Sequence, residues 1–510
     1  MQKVISMSSK FYITTPIYYV NDVPHIGHAY TTLACDVMAR FKRLDDFEVF
    51  FLTGTDEHGQ KVETAAKNKQ LNPKDFVDEV SVNFRNLLVC MHFSNNDFIR
   101  TTEERHFKSC QKIWNKLVEN GNIYLGKYSG WYAVRDEAFF LESEIVDGKA
   151  PSGAPVEWVE EPSYFFNLSK WQDKLLKYYE DNKNFICPNS RRNEVINFVK
   201  GGLKDLSVSR TSFSWGIKVP NDDNHIMYVW LDALTNYISA CDYSNNDNNM
   251  KDSKFWPADI HMVGKDIIRF HAVYWPAFLM AANLPLPKKV FAHGWWTNEG
   301  NKISKSLGNV INPFDLVKEY GVDQIRYFLM REVPFGNDGD FSKTQLINRI
   351  NSDLANSYGN LFQRVVSMIF KNCNGTIPLK PTNLSEEDMV LINSLKDNIQ
   401  DYRNLIDNQK FDQFLKNIWL VISRANKYTD EQAPWTLKKT DFKRMEVVLF
   451  TLIETLRQVS ILLQPFMPST AKSVLDHIKI PLNERLIKNL DNIYKGGINI
   501  GLPQPLFPRV

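Results

Sequence analysis

Four short apolar runs, each emptying into a polar turn that contains glycine, constrain this 510-residue chain more than any other feature. Phe11-Tyr12-Ile13-Thr14-Thr15 leads to Pro24-His25-Ile26-Gly27-His28, and Glu48-Val49-Phe50-Phe51-Leu52-Thr53 to Gly54-Thr55-Asp56-Glu57-His58-Gly59. Ile260-His261-Met262-Val263 leads to Gly264-Lys265-Asp266, and Val290-Phe291-Ala292-His293 to Gly294-Trp295-Trp296. Aromatic and β-branched runs of this length read as strands. Helical spacing follows most of them: Ala29, Tyr30, Leu33, Ala34, Val37, Met38 and Phe41 after the first, and Ile267 to Ala282 after the third. In open α/β sheets, ligands bind outside the carboxyl ends of the strands. The pattern therefore predicts an α/β fold with a parallel sheet, built from two halves separated in sequence and sharing one nucleotide-type site.

Between the halves the texture changes. Gly148-Lys149-Ala150-Pro151-Ser152-Gly153-Ala154-Pro155 is punctuated by breakers, and aromatic runs such as Tyr164-Phe165-Phe166 intervene. From Phe341 the pattern is helical. Leu346, Ile350, Leu354, Tyr358, Leu361 and Val365 form one apolar stripe; Phe411, Phe414, Leu415, Ile418, Val421, Ile422 and Ala425 a second; Met445, Val448, Leu449, Leu452, Ile453, Leu456 and Val459 a third. Amphipathic helices with short connections favour an antiparallel bundle. The expected organisation is a split α/β domain (1–119 and 227–340), an inserted domain (120–226) and a helical bundle (341–510).

Other classes are disfavoured. A net charge of +2 provides no global basic field, so any nucleic-acid contact must be local. No apolar run approaches the ~20 residues of a membrane span, and Met1 to Lys10 lacks an apolar signal core. Six cysteines without a CxxC pair suit free thiols in the cytoplasm. There is no GxGxxG, and Gly54-x4-Gly59 and Gly121-x4-Gly126-Lys127 both lack the Lys-Ser/Thr ending of a phosphate loop.

Two stretches carry the chemistry. His25, Gly27 and His28 stand where a strand passes to a helix, a place whose free N–H groups and dipole favour phosphate. Gly27 removes a side chain that would hold a flat ligand away. In Gly300-Asn301-Lys302-Ile303-Ser304-Lys305-Ser306-Leu307-Gly308-Asn309, two lysines three apart among serines form a cationic loop, suited to charge that develops in a transition state.

Together, His25-Ile26-Gly27-His28 and Lys302-Ile303-Ser304-Lys305-Ser306 resemble the paired signatures of class I aminoacyl-tRNA synthetases. The resemblance narrows to methionyl-tRNA synthetases through Pro16-Ile17-Tyr18-Tyr19-Val20-Asn21, Gly54 to Gly59, Tyr228-Val229-Trp230-Leu231-Asp232-Ala233, Gly264 to His271, and Asp430-Glu431-Gln432-Ala433-Pro434-Trp435. It runs from about residue 11 to past 470. It implies a Rossmann-like catalytic domain and an α-helical bundle that binds the anticodon. The implied substrates are methionine, ATP with Mg²⁺, and tRNA(Met), including initiator tRNA.

The resemblance also implies site roles. His25, His28, Lys302 and Lys305 are the expected catalytic residues. Gly27, Gly264, Asp266, His293, Gly294, Trp295, Lys302, Ser304, Lys305 and Ser306 are expected to bind ATP. Asp56 and Tyr19 are expected to hold the methionine ammonium, with Ile17, Trp230, Ala233, Tyr237, Ile267 and His271 around its side chain. Asn360, Arg364 and Trp435 are expected to read the anticodon.

The sequence departs from this pattern in three places. Leu234 stands where Pro is common. Ala133 and Asp136 stand where many relatives have zinc-knuckle cysteines, so no structural zinc is expected, and Arg135 and Asp136 are expected to hold the insertion instead. The sequence has no C-terminal RNA-binding barrel after the bundle, so a monomer is expected. A synthetase for leucine or cysteine, a short nucleotidylyltransferase and an inactive RNA-binding paralogue are the alternatives.

Overall fold

The computed structural model describes residues 9–20, 23–136, 138–140, 142–246, 249–303 and 310–510. Seven strands among them form one sheet: β1 (Lys10–Thr14), β2 (Tyr18–Tyr19), β3 (Glu48–Asp56), β4 (Asp97–Arg100), β5 (Ile186–Cys187), β6 (Ile260–Gly264) and β7 (Val290–His293). Every pairing is parallel. The spatial order is β4-β3-β1-β6-β7-β5, with β2 continuing along the β3 edge beyond β1. The two halves of the sequence meet between β1 and β6, where Ile13 lies beside Ile260 and Thr14 beside His261. β3 runs to Asp56, three residues beyond the apolar run. Gly54 permits this, because a Cβ there would stand 1.9 Å from the Ile99 carbonyl oxygen on β4.

The helix α1 (Ile26–Leu44) follows β2 and is almost wholly buried. Tyr30, Leu33, Val37 and Phe41 face the core that also takes in Phe11 and Ile13 of β1 and Met262 of β6. Residues 120–226 contain a long antiparallel hairpin, Ile123–Ala133 with Glu157–Phe166, extended by Ala138–Phe140 and Leu206–Ser207. Within this span the chain returns once to the main sheet, as β5 beside β7. The helix α2 (Val229–Ser239) leads back into the second half.

Beyond Phe341 all three apolar stripes are buried. Helical backbone runs continuously from Lys343 to Asn372, through a π-helical stretch at Ile350–Gly359, ending in α3 (Asn360–Asn372). It packs with α4 (Phe411–Gln432) and α5 (Phe442–Leu463). Shorter helices at Glu386–Asn393, Ile399–Asp407, Pro434–Thr440 and Pro468–His477 have too few turns for a long stripe and were not individually legible.

One buried cation joins the bundle to the sheet. Arg326, in the helix Val322–Arg331, donates to Asp36 Oδ2 of α1 at 2.7 Å and to the carbonyls of Met91, Pro465 and Phe466 at 2.7–3.0 Å. Both side chains of the ion pair are fully buried. Burial pushes the Asp36 pKa up, but Arg326, Arg40 and Ser94 outweigh it and hold it below the usual carboxylate range. Arg326→Ala strands Asp36 without its main partner and is expected to destabilise the chain by about 3–5 kcal/mol. Denaturant unfolding that moved by under half that amount would refute the importance of this joint.

Candidate active site

Helix α1 begins with two histidines that cap it. His25 stands just before the first helical residue. Its Nδ1 accepts from the Gly27 N–H at 3.0 Å, while the His25 N–H donates to His28 Nδ1 at 3.0 Å. This is a capping box made of imidazoles rather than a hydroxyl and a carboxylate. It differs from the sequence expectation in one respect: N–H groups foreseen as free for an anion are used within the chain. The consequence is chemical. With both Nδ1 atoms accepting, the neutral rings carry their protons on Nε2, so each offers an Nε2–H donor.

Both rings are half-buried and lie 4.0 Å apart. Burial lowers the His28 pKa well below its ordinary value, with His25 adding to the effect. Burial also lowers that of His25, against the opposing pull of Asp266. Tyr18 and Phe84 pack against His28 at 4.8 and 5.3 Å. Gly27 serves the cap as well as any ligand, since a Cβ there would lie 2.9 Å from His25 Cε1.

The ends of β6 and β7 close in on the same helix. His293 is buried. Its Nδ1–H donates to the Gly294 carbonyl at 2.8 Å, leaving Nε2 to accept from Thr31 of α1 at 2.7 Å. This ring fastens β7 to α1 from within, and neither nitrogen faces outward. Gly294 is required by a close backbone crossing, because a Cβ would meet the Asn337 carbonyl carbon at 2.3 Å. Trp295 is exposed, and its Nε1 donates to Asp266 at 3.1 Å. Lys265 lies over the Trp295 ring at 4.2 Å and pairs with Asp338 at 2.6 Å, and Asp338 accepts from the Trp295 N–H at 2.8 Å. Gly264, Asp266, Gly294 and Trp295 thus gather at the ends of β6 and β7, close enough for the Asp266 charge to act on His25.

On the other flank an aromatic cluster lies near the end of β3. Trp230, Ala233 and Tyr237 share one face of α2 at helical spacing. The Trp230 ring stacks on Phe270 at 3.7 Å, nearly parallel, and meets His271 edge-on at 6.1 Å. His271 Nδ1–H donates to the Ile267 carbonyl at 3.0 Å, so its Nε2 accepts the Tyr237 hydroxyl at 2.7 Å. Burial depresses the His271 pKa to about 4, keeping the ring neutral. Ile17, Tyr19, Trp230 and Ile267 all border the same apolar cluster. Asp56 closes β3 beside Tyr19 and is buried. The Tyr19 hydroxyl donates to the His58 carbonyl at 2.9 Å, so its proton is already engaged within the chain.

Other expected residues lie elsewhere. Lys302 is in a short hairpin, paired with Thr297; Ser304, Lys305 and Ser306 fall outside the described residues. Some 360 residues along the chain, the bundle brings Asn360, Arg364 and Trp435 to its surface. Asn360 is exposed at the start of α3. Arg364 pairs with Asp430 at 2.7 Å and sits 5.7 Å from the Trp435 ring, which is 48% exposed. Ala433 adopts a left-handed conformation (φ 42°), turning the chain from α4 into the short helix that presents Trp435.

Phe270, Thr31, Lys265 and Asp338 take part in these arrangements without having been singled out as site residues. Thr31 and Phe270 look like ordinary helix residues in sequence, and only the packing reveals them.

Residues 11–157 and 149–366 match the family of class I tRNA synthetases of the M type. The chain belongs to the class I aminoacyl-tRNA synthetases. Residues 378–510 match the anticodon-binding domain of methionyl tRNA ligase. The methionine–tRNA ligase of Rickettsia conorii is 59% identical over 99% of this chain and 100% of its own length, and that of Rhizobium meliloti 54% identical over 98% of each. Within the class, the chain is a member of the methionyl-tRNA synthetase family. The solved Mycobacterium tuberculosis methionyl-tRNA synthetase in complex with methionyl-adenylate superposes with a TM-score of 0.94 at 46% identity, covering 98% of this chain and 100% of that one.

The buried imidazoles make a pH prediction. His271 titrates near 6.5 when unfolded and at about 4 when folded, so in that window the unfolded chain binds more protons. Stability is therefore expected to fall as pH drops from 6.5 toward 4, with half-buried His28 and buried His261 acting in the same direction. Chemical denaturation giving a flat unfolding free energy across that interval would contradict it.

Proposed function

We propose that this chain joins methionine to its tRNA in two steps. Methionine and ATP first give methionyl-adenylate and pyrophosphate. The methionyl group then passes to the terminal ribose of tRNA(Met), initiator tRNA included. The observation that carries the proposal is the pair of Nε2–H donors fixed at the start of α1, beside the ends of β6 and β7.

The first step needs the methionine carboxylate aligned on the α-phosphorus and the departing pyrophosphate stabilised. ATP enters as its Mg²⁺ complex. Neutral Nε2–H groups of His25 and His28 suit this task, because their orientation is set before any phosphate arrives and their donation needs no proton uptake. Lys302 and Lys305, with Ser304 and Ser306, supply cationic and hydroxyl partners for the phosphates. Gly27 leaves room for the adenine. Gly264 and Asp266 face the ribose, with Gly294 and Trp295 beside the base; His293 supports them from behind through Thr31. Asp56 takes the methionine ammonium with help from the Tyr19 ring and backbone. Trp230, Ala233, Tyr237, Ile267, His271 and Ile17 enclose the thioether, a polarizable group that aromatic surfaces favour. Asn360, Arg364 and Trp435 form the anticodon-reading edge, Trp435 by stacking an unpaired base.

We also propose a zinc-free, monomeric, cytoplasmic protein. Ala133, one of the two positions where many relatives have zinc-knuckle cysteines, packs with Ala150 and Ala154 in a small apolar cluster. Asp136 bonds the Ser152 hydroxyl, and Arg135 donates to the Ser152 carbonyl at 2.6 Å, so hydrogen bonds support the loop. These groups do not provide four nitrogen or sulfur ligands. All six cysteines are free, which suits a reducing compartment. Among the described residues no helix is long and apolar enough to cross a membrane. The bundle buries its apolar stripes within one chain.

Pyrophosphate exchange into ATP, run with each of the twenty amino acids, tests the main claim: it is expected with methionine alone. His25→Ala and Lys305→Ala should each lower that exchange by about 10²–10³-fold, the loss typical of one preorganised donor, while methionine binding measured by calorimetry stays within a few-fold. Exchange driven by another amino acid, or loss of methionine binding alone in either variant, overturns the assignment. Metal analysis with sedimentation equilibrium should return no zinc and the mass of one chain; a tightly held zinc or a dimer would each refute its part.

A further inference from the structure

Behind the aromatic pocket lies a buried knot of polar groups to which the reaction gives no role. Asp232 lies on the same helix as Trp230, Ala233 and Tyr237 and is 1% exposed. Its Oδ2 accepts from His58 Nδ1 at 2.6 Å and its Oδ1 from His106 Nε2 at 2.7 Å. His106 lies in the helix Glu104–Glu119, is fully buried, and is held at Nδ1 by Ser239 Oγ of α2 at 3.0 Å. Cys110, one turn on, brings its sulfur within 3.3 Å of the same ring. The carboxylate titrates at about 2: burial opposes ionisation, but His58 and His106 more than offset it.

His58 is two residues beyond Asp56, in the turn that ends β3. That turn is gripped on its other sides. Glu57 is buried against Arg100 at 2.6 and 2.9 Å, Trp215 donates to the Glu57 carbonyl at 2.6 Å, and Tyr19 donates to that of His58. The His58 ring is thus a strut from the Asp56 turn to α2, with Asp232 as its anchor. It joins the part of the site assigned to the ammonium to the part assigned to the side chain.

We propose that Asp232 is a positioning residue for methionine selection: through His58 and His106 it sets the span between Asp56 and the wall of Trp230, Ala233 and Tyr237. The proposal rests on the pocket assignment made above. A ligand gripped at both ends is measured by length, so moving one grip relative to the other relaxes discrimination by chain length rather than removing chemistry.

The test is pyrophosphate exchange with methionine and with ethionine, its homologue one methylene longer. Asp232→Asn is expected to raise the KM for methionine and to reduce the methionine-over-ethionine ratio of kcat/KM by about tenfold, on the scale of one methylene, with the KM for ATP unchanged. His58→Leu should reproduce this, and His58→Asn, whose amide nitrogen falls where Nδ1 stood, should restore the ratio. Asp323→Asn, a buried carboxylate distant from the pocket that accepts from the Thr470 N–H, controls for lost stability and should leave the ratio intact. If Asp232→Asn does not fold, the two His58 variants decide. An unchanged ratio in folded Asp232→Asn or His58→Leu protein overturns the proposal. Trp230→Ala and Asp56→Asn separate the levels: if they too leave the KM for methionine unchanged, the pocket assignment itself has failed.

Discussion

The structure depends on the parallel pairing of β1 with β6. These strands lie about 250 residues apart in sequence, and their registration places Thr14 beside His261 and closes a 2.8 Å hydrogen bond between the two side chains. Every group of the candidate site takes its position from that seam. α1 starts beyond the end of β1, Asp56 ends the strand on one side, and Asp266 and Gly294 leave the strands on the other. A parallel sheet directs all its carboxyl ends to one edge, so groups from four chain segments converge there without any contact in sequence.

Imidazoles do much of the internal fastening. His25 and His28 cap α1, His293 ties β7 to α1, His261 crosses the seam, His271 orders the pocket, and His58 and His106 hold Asp232. An imidazole joins two hydrogen-bonding partners across a rigid ring. That explains why a chain with ten histidines uses so many of them at one edge of one sheet. A separate link is made by a guanidinium: Arg326 grips α1 and the chain just after α5 together.

Much of this was legible beforehand for identifiable reasons. The strands, α1 and the three bundle stripes follow from periodicity, which reports burial directly. Individual roles were less legible. The Tyr19 hydroxyl gives its proton to the His58 carbonyl and keeps its oxygen as an acceptor, and both His293 nitrogens are engaged inside, details that spacing does not report. Phe270, Thr31 and Asp338 left no signal, because their importance lies in partners far away in sequence.

The sequence by itself determined which stretches are strands and helices, and which residue types meet the chemistry of activating a carboxylate with ATP. These are local properties, written in spacing and composition. Only the tertiary structure decided which atoms each of these groups presents. A hydrogen bond to Nδ1 selects the tautomer of His25 and of His28, burial sets their charge, and Asp232 joins the Asp56 turn to α2 through a ring. Tautomer, charge state and span depend on what surrounds a group, and those surroundings exist only once the chain has folded.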